Sequence, residues 1–423
     1  MLCPVTDLAE LRQQLPFDLD LLPSSACLVG GAVRDALLGR RREYLDWDFV
    51  LPSRAIETAK TIAGRYRAGF VVLDAARHIA RVVFPQGTVD FALQEGVSLE
   101  QDLKRRDFTV NAIAYNFHRG ELIDPLSGVE DLRAEVVKMV SPLNLKADPL
   151  RLLRAYRQVA QLQFRLDGRT HQTLITLAPL ITTVAAERVQ AEFNYLLGSP
   201  RGSQWLWAAW QDGLLTGWFP GANLASLNTL CCIDLAIARL KTQLDLPQRQ
   251  VLFKALGKKG MAIAKLASLV ASQPEQAEKE LEHLKYSRQE IRAVGAVLRA
   301  YPYACQAGLK DDRRQQYFFF LEVGKYFPIF VLYALAHDPA PEEGLIMTLL
   351  SHYLDPQDAV AHPQNPISGN DLIENLHLKP SPLIGKLLTE VQVAQIEGKV
   401  ESKQDSLDYA RSLTENLFLH DSF

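Results

Sequence analysis

Ala26-Cys27-Leu28-Val29-Gly30-Gly31-Ala32-Val33-Arg34-Asp35, followed by Asp46-Trp47-Asp48-Phe49-Val50-Leu51, decides how this chain is read. Ala26–Val29 is the apolar run of a short buried strand, closed by Gly30-Gly31. Ala32–Leu38 reads as a helix stopped by Gly39, and Trp47–Leu51 as a second strand. Gly30 and Gly31, between strand and helix, let backbone N–H groups approach a phosphate, and the helix dipole favours the anion. Arg34, one turn in, adds a charge. Asp46 and Asp48 stand at i and i+2 on a strand and so point to one face. Such a pair repels unless cations intervene; two Mg²⁺ ions ~3.5–4 Å apart are the usual solution in polymerases and nucleases. A lone Gly-Gly or Asp-x-Asp is weak. Their order, phosphate cradle and then metal carboxylates on the next strand, reads as nucleotidyl transfer.

Further along the chain, Arg54–Tyr66 reads as a helix. Phe70–Leu73, Ile79–Phe84 and Thr88–Ala92 read as strands, and Leu99–Arg105 and Phe108–Tyr115 as helices. Asp90 is a charge inside an apolar strand: the third carboxylate if that strand lies beside the Asp46/Asp48 strand, a solvent-facing residue otherwise. Arg105-Arg106-Asp107 gathers two cations and an acceptor near Asn111, suiting phosphate and a ribose hydroxyl; in isolation it is a capped helix with exposed arginines. Asp148-Pro149-Leu150-Arg151-Leu152-Leu153-Arg154 opens another helix, with Asp148 and Arg151 on one face. Ser141–Thr170 holds six Lys/Arg against two Asp/Glu, a local basic excess. Taken alone this is a solvated helix with an i, i+3 ion pair. A carboxylate beside a guanidinium also matches the pairing edge of cytosine and of adenine, an amine donor next to a ring-nitrogen acceptor. It mismatches uracil and guanine.

The 423 residues suggest about two to four domains at ~100–200 residues each. With 48% hydrophobic and 22% charged residues, a wholly disordered or fibrous chain is excluded. The net charge of -3 means a nucleic-acid partner needs a local basic face. Cys3, Cys27, Cys231, Cys232 and Cys305 form no CxxC pair, which speaks against a disulfide scaffold or zinc site and for a reducing cytosol. Met1–Leu11 lacks a signal-peptide pattern. Tyr317–Ala336 is the most apolar stretch, but Glu322, Lys325 and Pro328 make it a buried helix pair rather than a membrane span. After about residue 140 strand signals vanish and amphipathic helices run to the end, with breaks that include Gly257–Gly260 and Pro356–Pro366. The expected fold class is therefore α+β: a small mixed-sheet head, then an all-α body.

In order, these motifs resemble the class II tRNA nucleotidyltransferases, the bacterial and eukaryotic CCA-adding enzymes and their poly(A) polymerase relatives. Gly30–Asp35 with Asp46 and Asp48 matches the first motif and Arg105–Ala112 the ribose-contacting second. Asp124, Gly128, Asp131 and Leu132 match the third, a hinge. Asp148, Arg151 and Arg154 fall on the amino-acid template motif. Glu187-Arg188-Val189 with Glu192 matches the last, which buttresses the neck, and Asp371–Gly385 resembles a tail segment. The resemblance implies a polymerase-β-like head over 1–140, a helical neck over 141–215, a body over 216–365 and a tRNA-binding tail over 366–423. It implies a cytoplasmic enzyme with no membrane partner, which transfers CMP and AMP from CTP and ATP to a tRNA 3′ end without a nucleic-acid template. Asp46 and Asp48 would hold Mg²⁺, and Asp90 takes the third-carboxylate position. Gly30, Gly31, Arg34, Arg105, Arg106, Asp107, Asn111, Asp148, Arg151 and Arg154 would bind the nucleotide.

Three departures from the pattern matter. Ala147 stands where the template motif has a Glu that helps hold Arg151. Tyr195 stands where the last motif has Lys. The segment from Asp90 to Arg105 is short, as in members that add only two cytidines and leave the adenosine to a separate A-adding enzyme. CC addition is therefore the expectation, followed by full CCA addition, a poly(A) polymerase and a non-catalytic RNA-binding paralogue. Lys254, Lys258, Lys259 and Lys265 could meet tRNA phosphates, or simply form a solvated face.

Overall fold

Alternation along Leu45–Leu51 organises the head: Asp46 and Asp48 on one face, Trp47, Phe49 and Leu51 buried on the other. The computed structural model describes residues 11–40, 44–306, 308–339 and 341–420; Cys3 and the rest of Met1–Glu10 lie outside them. The chain divides into two compact units, Met1–Gly217 and Trp218–Phe423.

The first unit begins with β1 (Cys27–Val29), α1 (Gly31–Leu37), β2 (Leu45–Leu51), α2 (Ala55–Tyr66), β3 (Gly69–Asp74), β4 (Ile79–Phe84), β5 (Gly87–Leu93) and α3 (Leu99–Lys104). β6 (Ala114–Asn116) and β7 (Glu121–Ile123) complete a seven-stranded sheet of order β3-β4-β5-β2-β1-β6-β7. Within this sheet β2 and β5 run parallel and the other described neighbours are antiparallel. Phe49 and Phe91 stack at 5.7 Å on the face away from the carboxylates. On the carboxylate face, Cys27, Val29, Val50 and Ala114 are covered by Leu103 and Ala112.

Phe108–Tyr115 is not the helix expected from its apolar run. It is a 3-10 turn (Thr109–Asn111) followed by β6, registered Leu28↔Tyr115 on β1. Periodicity cannot separate short apolar strand from helix; the open edge of β1 decides here. Gly87 faces Leu45 across the parallel ladder, and a Cβ there would lie 2.3 Å from the Leu45 carbonyl oxygen. Gly87→Ala is expected to cost about 1–3 kcal/mol through strand displacement, read as a lower urea midpoint.

Next come α4 (Gly128–Arg133), β8 (Val136–Val137), α5 (Pro142–Ala147), α6 (Leu150–Leu162), β9 (Arg165–Leu166), α7 (Gly168–Leu177), α8 (Ala186–Gly198) and α9 (Gly202–Gln211). β8 and β9 form a small parallel ladder that the sequence reading did not anticipate. The hinge motif is a packed joint. Asp124 accepts from the Gly128 and Val129 N–H groups at 2.7 and 2.9 Å, and Asp131 accepts from Thr109 at 2.7 Å.

The second unit is helical: α10 (Leu224–Gln243), α11 (Leu246–Leu269), α12 (Pro274–His283), α13 (Arg288–Ala304), α14 (Arg313–Val323), α15 (Phe327–Ala336), α16 (Glu343–Leu354), α17 (Gly369–Leu376), α18 (Pro382–Ile396) and α19 (Lys403–His420). α11 kinks at Gly257, φ 56°. The apolar stretch Arg313–Ala336 is long enough by composition to cross a membrane, yet it folds as α14, a 3-10 turn and α15. All of α15 but Leu335 is buried. Lys265 is not on a solvated face: it is buried and paired with Asp234 at 2.7 Å. Cys27, Cys231, Cys232 and Cys305 are free thiols.

Candidate active site

The parallel register of β2 and β5 sets Asp46 opposite Thr88 and Asp48 opposite Asp90, so the three carboxylates share one sheet face. Thr88 donates its hydroxyl to Asp46 at 3.3 Å. Arg81 lies opposite Asp90 on β4 and forks onto it, Nε to Oδ1 at 2.7 Å and Nη2 to Oδ2 at 2.8 Å. Arg81 was not singled out from sequence. A mid-strand charge in an apolar run was its only signal, as for Asp90 itself.

Water reaches the Asp48 side chain, although protein crowds around it. That enclosure carries its carboxyl up to about 6; Asp90 and Asp46 add to the rise, and Arg106 opposes it. Gly30, φ 75° and ψ -133°, holds a backbone shape that L side chains avoid. A Cβ at Gly30 would sit 3.1 Å from Arg106 Nη1 and 3.9 Å from Asp48 Oδ2. The Gly30 N–H donates to the Ile113 carbonyl at 3.2 Å, tying the glycine turn to the second motif.

Behind this turn lies a buried polar network. Arg34 does not stand at an open phosphate edge: its Nη1 donates to Asn111 at 2.6 Å and Gln158 at 3.1 Å, and its Nε to Asp35 at 2.9 Å. A buried guanidinium needs such acceptors. Asp107 likewise faces inward, accepting from the Phe108 N–H (2.8 Å), Asn111 Nδ2 (3.0 Å) and Arg154 Nε (3.0 Å). Burial pushes the Asp107 carboxyl up, but the Arg154 charge and these bonds outweigh it and hold the group below its ordinary value. Arg154 also approaches Glu192 at 3.9 Å, and Arg157 pairs with Glu192 at 2.6 Å while lying over the Tyr195 ring. Arg34, Asp107, Asn111 and Arg154 thus join the glycine turn, the second motif and the neck helices. Arg106 is placed differently. It contacts Asp102 at 3.5 Å, and its buried Nε has no hydrogen-bond partner.

Asp148 and Arg151 are neighbours, as their spacing requires, but at 3.8 Å their contact is long. Asp148 is held by Arg188, whose Nη2 donates to both carboxylate oxygens at 3.1–3.2 Å. Arg151 Nη1 donates to two backbone carbonyls, Arg105 at 2.8 Å and Asn144 at 3.1 Å. These acceptors replace the support that Ala147 cannot give. Arg105 itself is exposed and pairs with Glu95.

Among the described residues, no three or more His, Cys, Asp or Glu side chains form a metal-binding group. A ready-made cage is not what Mg²⁺ needs; it binds through one or two carboxylates plus substrate phosphates and water. Asp46 and Asp48 fit that role: hard oxygens on one face, one of them crowded by two other carboxylates.

Residues 26–138 match the family described as "Poly A polymerase head domain". Residues 163–225 match "Probable RNA and SrmB- binding site of polymerase A", and residues 255–410 match tRNA nucleotidyltransferase domain 2. A CC-adding tRNA nucleotidyltransferase of Synechocystis is 68% identical over 413 residues, 98% of this chain and 99% of the relative. The chain belongs to the class II tRNA nucleotidyltransferase and poly(A) polymerase family. Another member of this nucleotidyltransferase family, a CC-adding enzyme of Thermus thermophilus, is 31% identical over 415 residues, 91% of this chain and 92% of the relative. In fold, the chain matches a CCA-adding enzyme solved with CTP, TM-score 0.73 at 20% identity, covering 97% of this chain and 96% of that one.

Proposed function

We infer that this nucleotidyltransferase adds the two cytidines of the CCA end to tRNA, taking CTP and no nucleic-acid template, and that a separate enzyme adds the adenosine. The observation that carries the CC limit is the connection between β5 and α3. β5 ends at Leu93 and α3 starts at Leu99, and the residues between are stapled. The Glu95 N–H donates to Asp102 at 3.0 Å, the Val97 N–H to Gln101 at 3.1 Å, and the Glu95 carboxylate pairs with Arg105. That leaves no long mobile loop to reshape the nucleobase site for ATP. The 68% identical relative, named CC-adding, supports the same reading.

In this reading the triphosphate lies along the glycine turn, Gly30 and Gly31, with Arg105 and Arg106 as its cations. Asp148 accepts from the cytosine amine while Arg151 donates to the ring acceptors. The terminal 3′ hydroxyl attacks the α-phosphorus and pyrophosphate leaves, a reaction served mainly by positioning and charge neutralisation. Asp46 and Asp48 would hold Mg²⁺, whose chemistry is to neutralise phosphate charge and ease loss of the hydroxyl proton. Asp90, fixed by Arg81, completes the acidic face. The segment over 366–423 is assigned to tRNA binding.

Full CCA addition is the second reading, favoured by the Asp148–Arg151 pair, whose pattern fits adenine as well as cytosine. Transcripts ending before the CCA, after the first C and after the second decide between them. With CTP and ATP together, growth by two cytidines and a halt is expected. Complete CCA ends would overturn the CC limit and leave the family unchanged.

A further inference from the structure

Arg151 is aimed by main chain alone at its Nη1: the carbonyls of Arg105 and Asn144 accept from it at 2.8 and 3.1 Å. Those carbonyls belong to separate segments, the end of α3 and helix α5, so their spacing depends on what ties the segments together. The Asn144 side chain spans them. Its Nδ2 donates to the carbonyls of Lys104 and Arg106, both at 2.8 Å, bracketing Arg105. The same residue reaches Asp148, whose N–H donates to the Asn144 carbonyl at 3.3 Å. Ser141 caps the helix start through the Asn144 N–H at 3.2 Å. Asn144 therefore contacts, directly or through one carbonyl, both residues that face the base.

We propose that Asn144 is a positioning residue for nucleobase selection: by clamping Lys104–Arg106 to α5 it fixes the orientation of Arg151, and with it the preference for CTP over UTP. The proposal rests on the reading of Asp148 and Arg151 as the pair that meets the base. One amide nitrogen with two N–H donors suits two carbonyls; an aspartate of the same shape has no donor and sets a negative charge against them. The carbonyls are neutral, so they steer Arg151 Nη1 without adding a second negative charge to that of Asp148, 3.8 Å from Arg151 Nε. Small displacements of a positioning group cost selectivity steeply, because a misplaced donor leaves buried polar atoms unpaired.

The test compares Asn144→Asp, Asn144→Ala and Arg151→Ala with the parent enzyme, measuring kcat/KM for CTP and for UTP on a tRNA ending before the CCA. Both Asn144 variants are expected to lower the CTP-to-UTP ratio by about 10–100-fold, mainly through a higher KM for CTP. A purely structural role would reduce the active fraction for both nucleotides alike and leave the ratio unmoved. If Asn144→Asp fails to fold, Asn144→Ala, which removes the donors without adding charge, carries the test. A ratio kept by the Asn144 variants but lost by Arg151→Ala overturns the proposal and leaves the base-reading pair standing. A ratio kept by all three overturns the base-reading pair as well.

Discussion

Replacing Asp48 with Asn is expected to abolish CMP addition, by about 10³-fold or more, while making the enzyme in EDTA more stable near pH 7. The two effects have one cause. Enclosure by protein first, then Asp90 and Asp46, lift the Asp48 carboxyl to about 6 from an ordinary 3.8. The folded state therefore holds this proton more tightly than the unfolded chain does. Stability falls as pH rises through the window between those two values, and the penalty is fully present above it. Water reaches the side chain, so the gain from Asp48→Asn is of order 1 kcal/mol, or about 2–4 °C in melting temperature. Added Mg²⁺ should raise the melting temperature of the parent protein and leave the variant unmoved. An inactive variant that melts at or below the parent in EDTA near pH 7 would refute the electrostatic account, and an active one would refute the metal assignment.

Arg154→Met is expected to destabilise the first unit by about 3 kcal/mol, lowering its melting temperature by roughly 6–12 °C near pH 7. Arg154 pairs with Asp107 at 2.9 Å and approaches Glu192, and both carboxylates are buried. Without the guanidinium, two buried acids lose a counter-charge. The sign of the pH dependence follows. Asp107 is held below its ordinary value, so its contribution is present above the unfolded pKa and is lost as pH falls through the depressed folded one. In the variant burial acts unopposed by Arg154, the pKa of Asp107 climbs, and mild acid relieves the strain. The gap between parent and variant should narrow from near pH 7 to near pH 5. An equal gap at both would show that Arg154 contributes packing and not charge.

Much of the head was legible in its residues because its chemistry is local. Alternation put Asp46 and Asp48 on one face, the glycine pair marked the turn, and charge in an apolar strand marked Asp90. The sheet order that brings Asp90 beside Asp48 depends on a parallel pairing with two antiparallel strands intervening in the chain, which no short window records. Phe108–Tyr115 departs from its helical pattern for the same reason: whether a short apolar run becomes strand or helix depends on a free sheet edge elsewhere. Arg34, Asp107 and Asn111 carry the residue types of a nucleotide site, yet the structure turns them inward to cross-link the motifs.

The amino-acid order alone carries the succession of candidate parts: glycine turn, paired carboxylates, third acid, basic segment and the Asp148/Arg151 pair. It also marked the short connection on which the CC reading rests, since loop length is a count along the chain. Which residue holds which follows from the fold. Arg81 fixes Asp90, Arg188 fixes Asp148, and the carbonyls of Arg105 and Asn144 fix Arg151 in place of the missing carboxylate at Ala147. Every residue carries a carbonyl oxygen, so nothing in the sequence marks the one that is used; folding chooses it by bringing distant segments within hydrogen-bond reach.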